Sequence, residues 1–437
     1  MPVINIQETE VTSLAPFDIT ENTVLVPMLY ARDFEKDSEG TVTYLEGDVP
    51  SAILYKNARQ FKSDIYNGGH VVTVDSNPDK TYTMVYELLL KGLRVVVKFI
   101  KFDNEAVENT LSLYEAYKLI NDAIEDGLLD EFGNKNLFNI KFITTGAYAN
   151  CGDVCIDESS SEGEVFNTSM YLRLKELAAQ RGDAVALVEY KEFFKDEADI
   201  IDTINATDTG DDGKFAAAFI PWCTFTATAT GSAVDVKLPA CHAYLMAFAN
   251  SVQTNANWFA ASGVIRGFVP NLVQPDFNIG EALMHTLQGD SEASTSLNVA
   301  VNPVYNAGTY GYKIWGNRVL YRTSGGVNVT LDMYMNFLNV RMLLCDIKKQ
   351  IYHAAMRVTF EPNDDIVWIN FKTLTNSLLD KMKSGRGISW YKWTKEIPEQ
   401  LATIKATLTI KPIEAVESFD ITIVLTDEEA SIEEESV

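Results

Sequence analysis

Cys151 and Cys155 stand in Cys-Gly-Asp-Val-Cys, a spacing that could offer two thiolates to a metal ion. A closed zinc site needs four ligands, and the four histidines, His70, His242, His285 and His353, are dispersed along the chain. Unpaired thiols are the simpler reading, and no metal is expected. Residues 208–213, Asp-Thr-Gly-Asp-Asp-Gly, begin like a calcium loop. Gly210 falls where an oxygen ligand belongs, and Phe219 falls where the closing glutamate belongs, so a solvated acidic loop is expected. Arg181-Gly182-Asp183 has the form of an adhesion motif, but it joins a helix end to a buried strand, so a structural role is expected. The chain has neither a GxxxxGK phosphate loop nor a GxGxxG fingerprint, and no cofactor is expected.

A nucleophile and a base need a closer test. Asn167-Thr168-Ser169-Met170-Tyr171 is similar to the nucleophile segment of subtilisin-like proteases, and His70 precedes it in the order those enzymes use. That segment requires Gly before Thr-Ser and a small residue after Met, where this chain has Asn167 and Tyr171. Val71 and Val72 follow His70 in place of Gly-Thr, and no Asp-small-Gly strand end offers a third member. The expectation is a protein that is not an enzyme, with a subtilisin-like serine hydrolase kept as the alternative.

The bulk properties agree with a structural role. A chain of 437 residues, 46% hydrophobic, can bury a large core divided over two or three domains. A net charge of −25 opposes wrapping nucleic acid or lying on an anionic membrane. No apolar stretch approaches the ~18 residues of a membrane span, and the basic start and apolar run of a signal peptide are missing from Met-Pro-Val-Ile-Asn-Ile. Five scattered cysteines suggest reduced, buried thiols.

The elements that must position any site follow from periodicity. Residues 1–18 read as an arm in which Ile4 and Ile6 alternate with polar neighbours. Residues 19–80 carry short strand signals and turn residues and read as a small β-rich unit. Residues 81–300 alternate helix and buried strand: a helix ending at Gly92, a strand over 93–100, a helical region over 105–129, the strand of 138–144, a helix stopped by Gly182, a strand over 184–190, the strand of 215–222 and a small-residue helix from Cys241. This is α/β organisation with a central sheet. Residues 301–410 form a further unit. Its first long helix has Val340, Leu344, Ile347, Ile351 and Ala355 on one stripe, and its second, opened by Pro-Asn-Asp, has Val367, Phe371, Leu374, Leu378 and Met382. Ile404, Ala406, Leu408 and Ile410 alternate as a strand. Residues 411–437 comprise a linker, a strand with Phe419, Ile421, Ile423 and Leu425 on one face, and an acidic tail.

The segments Gly-Tyr-Lys-Ile-Trp-Gly-Asn-Arg-Val-Leu, Phe-Glu-Pro-Asn-Asp and the final Leu-Thr-Ile-Lys-Pro-Ile run, in this order and spacing, resemble the contractile tail sheath proteins of bacteriophages, with relatives in R-type pyocins and type VI secretion sheaths. The resemblance covers about residues 80–425 and marks Trp315, Gly316, Asn317, Arg318, Phe360, Glu361 and Pro362 as fold-forming. It implies a central subtilisin-like α/β domain without a working triad, and a carboxyl-terminal α+β domain with exchanged terminal strands. It also implies a subunit that polymerises in stacked six-fold rings around a tail tube, meets baseplate and terminator proteins, and contracts to drive the tube through a cell envelope for genome delivery. The expected location is the virion tail, assembled in the host cytoplasm. A static capsid or shell protein is a further alternative.

Eight residues including Pro412 separate Ile410 from Phe419, longer than hairpin loops prefer. On the residues alone an intrachain hairpin and a strand given to a neighbour both fit; the resemblance implies donation, by the carboxyl-terminal strand and by Ile4 and Ile6. Burying the four apolar side chains would contribute ~6–12 kcal/mol per arm before ordering. On a helical wheel, Lys372, Asn376 and Lys383 lie opposite the apolar stripe, and Arg386 extends that edge. A solvated face fits the pattern; the resemblance implies that Lys372, Lys383 and Arg386 face the tube.

Overall fold

The computed structural model describes residues 21–31, 34–36, 42–44, 51–101, 110–158, 160–161, 163–208, 210–288, 297, 299–320, 334–396, 403–413 and 415. The arm residues Ile4, Ile6, Phe419, Ile421, Ile423 and Leu425 lie outside them.

One eight-stranded sheet organises most of the chain. Its strands are β1 (Thr23–Tyr30), β2 (Ala52–Tyr55), β3 (Arg94–Lys101), β4 (Phe142–Ile143), β5 (Val185–Glu189), β6 (Ala216–Ile220), β7 (Asn302–Asn306) and β8 (Tyr312–Ile314), in the order β8-β7-β6-β5-β4-β1-β3-β2. The six inner strands run parallel, and β8 and β2 close the edges antiparallel. Parallel strands covered on both faces need apolar residues at nearly every position, which is how Arg94–Lys101 and Val185–Glu189 are buried. Helices α2 (Leu113–Glu125) and α3 (Tyr171–Arg181) pack on the face carrying Leu25, Val96 and Ala186. Helices α1 (Lys80–Leu90) and α4 (Ala240–Val252) pack on the face carrying Val24, Val95 and Leu187.

Local chemistry explains the ends. Asp79 caps α1, accepting from the Thr81 amide at 3.0 Å. Ser112 and Glu115 form a capping box that starts α2 at Leu113, so the helix begins later than the expected residue 105. Gly182, at φ 65°, ends α3 in the left-handed conformation that glycine adopts at least strain.

The sheet corrects the expected boundaries. Thr23–Tyr30 and Ala52–Tyr55, assigned to a separate unit at 19–80, belong to the central sheet, with all eight residues of β1 in register with β3. Residues 302–314, placed in the carboxyl-terminal unit, are the last two strands of that sheet. Non-local pairing across ~70 residues leaves no local signature.

Beyond the sheet, α5 (Leu338–Val358) and α6 (Asp365–Ser384) pack side by side. A hairpin of β9 (Ile388–Glu396) and β10 (Lys405–Pro412) lies against α6. Strand β9 is absent from the sequence reading. A register shift between Ile388 and Trp390 breaks its alternation, and its inward residues, Tyr391 and Trp393, sit among lysines. Ala406, Leu408 and Ile410 alternate as expected.

Candidate assembly interface

The Trp-Gly-Asn-Arg segment ties the sheet to the carboxyl-terminal helices. Asn302 in β7 accepts from the Arg318 amide at 2.7 Å and donates to the Arg318 and Ala218 carbonyls. Gly316, at φ 135°, lies so close that an added Cβ would stand 2.8 Å from Asn302 Oδ1. Asn317 donates from its side chain to Asn339 Oδ1 at 2.7 Å and accepts from the Asn339 and Leu338 amides, fixing the start of α5. Trp315 is tilted against Tyr305, and the Arg318 guanidinium lies 4.6 Å from the Phe337 ring. These contacts join β7 to the start of α5, with Arg318 over an aromatic face.

A second joint was missed. Trp258 donates through Nε1 to the Gly385 carbonyl at 2.8 Å, and its carbonyl accepts from Asn339 Nδ2. An added Cβ at Gly385 would stand 2.6 Å from the Trp258 ring. Trp258, Leu343, Ile347, Leu378, Leu379, Met382 and Ile388 make the small core of the helix–hairpin unit. The 127-residue separation hid this contact, although an isolated Trp beside Asn-Ala-Asn was a signal.

Buried ions fasten α5 to the sheet domain. Lys141 pairs with Asp346 at 2.9 Å, both almost fully buried. Burial pushes the Lys349 amine down to about 8; it donates to Asn139 Oδ1 and the Ile140 carbonyl. Arg181 of the Arg-Gly-Asp segment is fully buried, paired with Asp183 and donating to the Phe132 and Phe138 carbonyls, so the segment is structural as expected.

The hairpin itself is half of a sheet. Trp393 stands edge-on to Trp368 and Phe371 and donates to Asn376 Oδ1 at 3.1 Å; Tyr391 donates to Asp380 at 2.6 Å. Burial, then the Asp380 carboxylate, raise the Tyr391 hydroxyl to about 12. Leu408 and Ile410 complete the inward face. Among the described residues, β9 and β10 pair only with each other, so each has an outer edge of unpaired backbone groups. Such an edge can bond an added strand.

The three basic residues separate. Lys372 is half-buried, its ammonium 5.4 Å from the Trp368 ring, while Lys383 and Arg386 are exposed. The hairpin covers Asn376, so the side turned furthest from the core carries Ile366, Ile369, Thr373 and Ser377. Asp364 caps α6, accepting from Val367 N at 3.0 Å. Phe360 is fully exposed at φ 72° and Glu361 is exposed, so neither contributes to the core.

No catalytic constellation emerges at the tested positions. His70 bonds through Nδ1 to the Ala31 carbonyl at 2.9 Å and stacks on Tyr30, and Ser169 lies ahead of α3. All five cysteines are buried and free, and burial pushes Cys151 and Cys155 up to about 12, away from the thiolate a metal requires. Residues 211–215 form a 3-10 turn, with Gly210 at φ 47° ahead of it.

No protein-family profile and no curated protein matches the sequence. Solved structures do. A chain of an extracellular contractile injection system, the PVC sheath complex in its contracted state, superposes with a TM-score of 0.61 at 14% identity over 98% of each chain. The fold is that of a contractile sheath subunit. A chain of the anti-feeding prophage helical sheath in its contracted state gives 0.57 at 12% identity, over 98% of this chain and 99% of that one. A chain of that prophage's contracted baseplate gives 0.63 at 14% identity, over 98% and 99%. The likeness runs through both the sheet domain and the helix–hairpin unit. Among the described residues, no helix is long and apolar enough to cross a membrane.

Proposed function

We propose that this chain is the structural subunit of a contractile tail sheath. It polymerises helically, in stacked six-fold rings around a tail tube, and contracts to drive the tube through a cell envelope. The carrying observation is the end-to-end sheath fold combined with a two-stranded hairpin whose outer edges carry no strand among the described residues. In this reading the terminal segments containing Ile4, Ile6, Phe419, Ile421, Ile423 and Leu425 complete the hairpin sheets of neighbours. Lys372, Lys383 and Arg386 meet acidic groups on the tube, each contact weak, ~0–1 kcal/mol, and screened by salt. A baseplate and a terminator bound the polymer. A virion tail delivering a genome is the setting the sequence resemblance implies; the solved neighbours come from injection systems, and the sheath role is common to both. Contraction re-arranges rigid subunits through their linkers and requires no catalytic residue.

Negative-stain microscopy of the concentrated, purified protein tests this reading. Open tubes or stacked rings are expected. Closed shells, or monomers at every concentration, would contradict it.

A further inference from the structure

In a chain of net charge −25, one region gathers cations around a single ring. The Arg341 guanidinium lies 4.7 Å from the centre of Phe215, the Lys348 ammonium 5.3 Å and the Lys214 ammonium 5.8 Å. Arg341 and Lys348 are two helical turns apart on α5, and Phe215 and Lys214 immediately precede β6. Phe215 is buried and forms an apolar floor. Arg341 is 3% exposed, and its Nε is buried without a partner, while Nη2 reaches only the Met335 sulfur at 3.2 Å. No ion pair among the described residues involves Arg341, Lys348 or Lys214, whereas Lys141 and Arg181 each have a carboxylate. Lys348 is solvent-exposed at the rim, and partial desolvation with the charges of Arg341, Lys135 and Lys214 lowers it from the usual lysine value. Like charges held together on an apolar floor, with one donor left unbonded, are the arrangement that a carboxylate ligand would relieve.

We infer that Arg341, Lys348 and Lys214 form a socket for carboxylates, and that its occupant is the acidic carboxyl-terminal tail of a neighbouring copy. The tail supplies the matching chemistry: residues 426–437, Thr-Asp-Glu-Glu-Ala-Ser-Ile-Glu-Glu-Glu-Ser-Val, hold six acidic side chains and no cation. Fourteen residues separate Pro412 at the end of β10 from Asp427, enough for roughly 45 Å of extended chain. Delivery by a neighbour rests on the strand donation proposed above; the socket gives the residues beyond the donated strand a destination, and its charge makes that contact salt-sensitive.

Two measurements on the full chain decide it. A zero-length carbodiimide is applied to assembled protein made from equal parts heavy-isotope and unlabelled chains. Lys348 and Lys214 should be linked to acids of residues 427–435, with heavy–light pairs among the links. Links confined to one isotope would overturn delivery by a neighbour, and assembled tubes without tail links would overturn the socket. In parallel, a fluorescein-labelled peptide of residues 426–437 is titrated into protein kept below its assembly concentration. Saturable binding should weaken at least ten-fold in Lys348→Glu and in Lys214→Glu. Equal binding by these variants, no binding, or full displacement by millimolar inorganic phosphate would overturn the inference. Peptide binding without tubes would instead fault the sheath reading.

Discussion

The sheet domain and the helix–hairpin unit solve the burial problem differently. The eight-stranded sheet is covered by helices on both faces, and antiparallel strands close its parallel array at both edges. The helix–hairpin unit has a core of seven buried apolar residues and half-covered aromatic residues under a two-stranded sheet. An isolated two-stranded sheet is marginal in water, and this one is held by Trp393 and Tyr391 against α6. Both sheets end in open outer strands, but the helix–hairpin unit has the smaller core and only two strands, so in the proposed reading it is the region a neighbour completes.

Deleting residues 418–437 should give the largest effect, complete loss of assembly with a melting temperature near that of the intact chain. A large fall in melting temperature would place that segment in the chain's own core and erase the contrast. Next, Phe248→Ala, fully buried beside Phe142 and Tyr244, should lower unfolding free energy by about 3–5 kcal/mol in urea titration.

A pH experiment sharpens the same contrast. Burial raises the Glu189 carboxyl, at the end of β5, to about 8 from an ordinary 4.5, so the folded state holds a proton that the unfolded chain releases between those values. Folded protein binding more protons means that stability falls as pH rises from about 4.5 to about 8. Glu189→Gln should remove that slope, up to about 1.4 kcal/mol per pH unit, leaving the variant relatively more stable at pH 8 than at pH 5. Parallel slopes in both proteins would contradict the assignment. Smallest of all, Lys372→Glu with Lys383→Glu should leave folding unchanged and shorten extended sheaths formed with tube and baseplate present. Sheaths of normal length and salt resistance would remove the tube-facing role.

Local signals were readable in the sequence and distant ones were not. Gly92, Gly182 and Asp364 mark helix ends by chemistry that acts within one turn, and each stands where the structure needs it. Thr23–Tyr30 was recognisable as a strand, but its place between β3 and β4 depends on partners far along the chain. Trp315–Arg318 was marked through the family resemblance, whereas its partner Asn302 and the Trp258–Gly385 joint carry no local signal and are set by distant contacts. The hairpin was half legible: β10 alternates cleanly, and the bulge and mixed composition of β9 hid it.

Amide hydrogen exchange, read residue by residue in the unassembled and assembled full chain, tests most directly whether neighbours complete the hairpin. Added protection should concentrate at residues 388–396 and 405–412 on assembly, while Val95–Val97 and Val185–Val188 in the sheet exchange equally slowly in both states. Edge amides of the hairpin that are already protected before assembly, or that stay unprotected within it, would contradict the account.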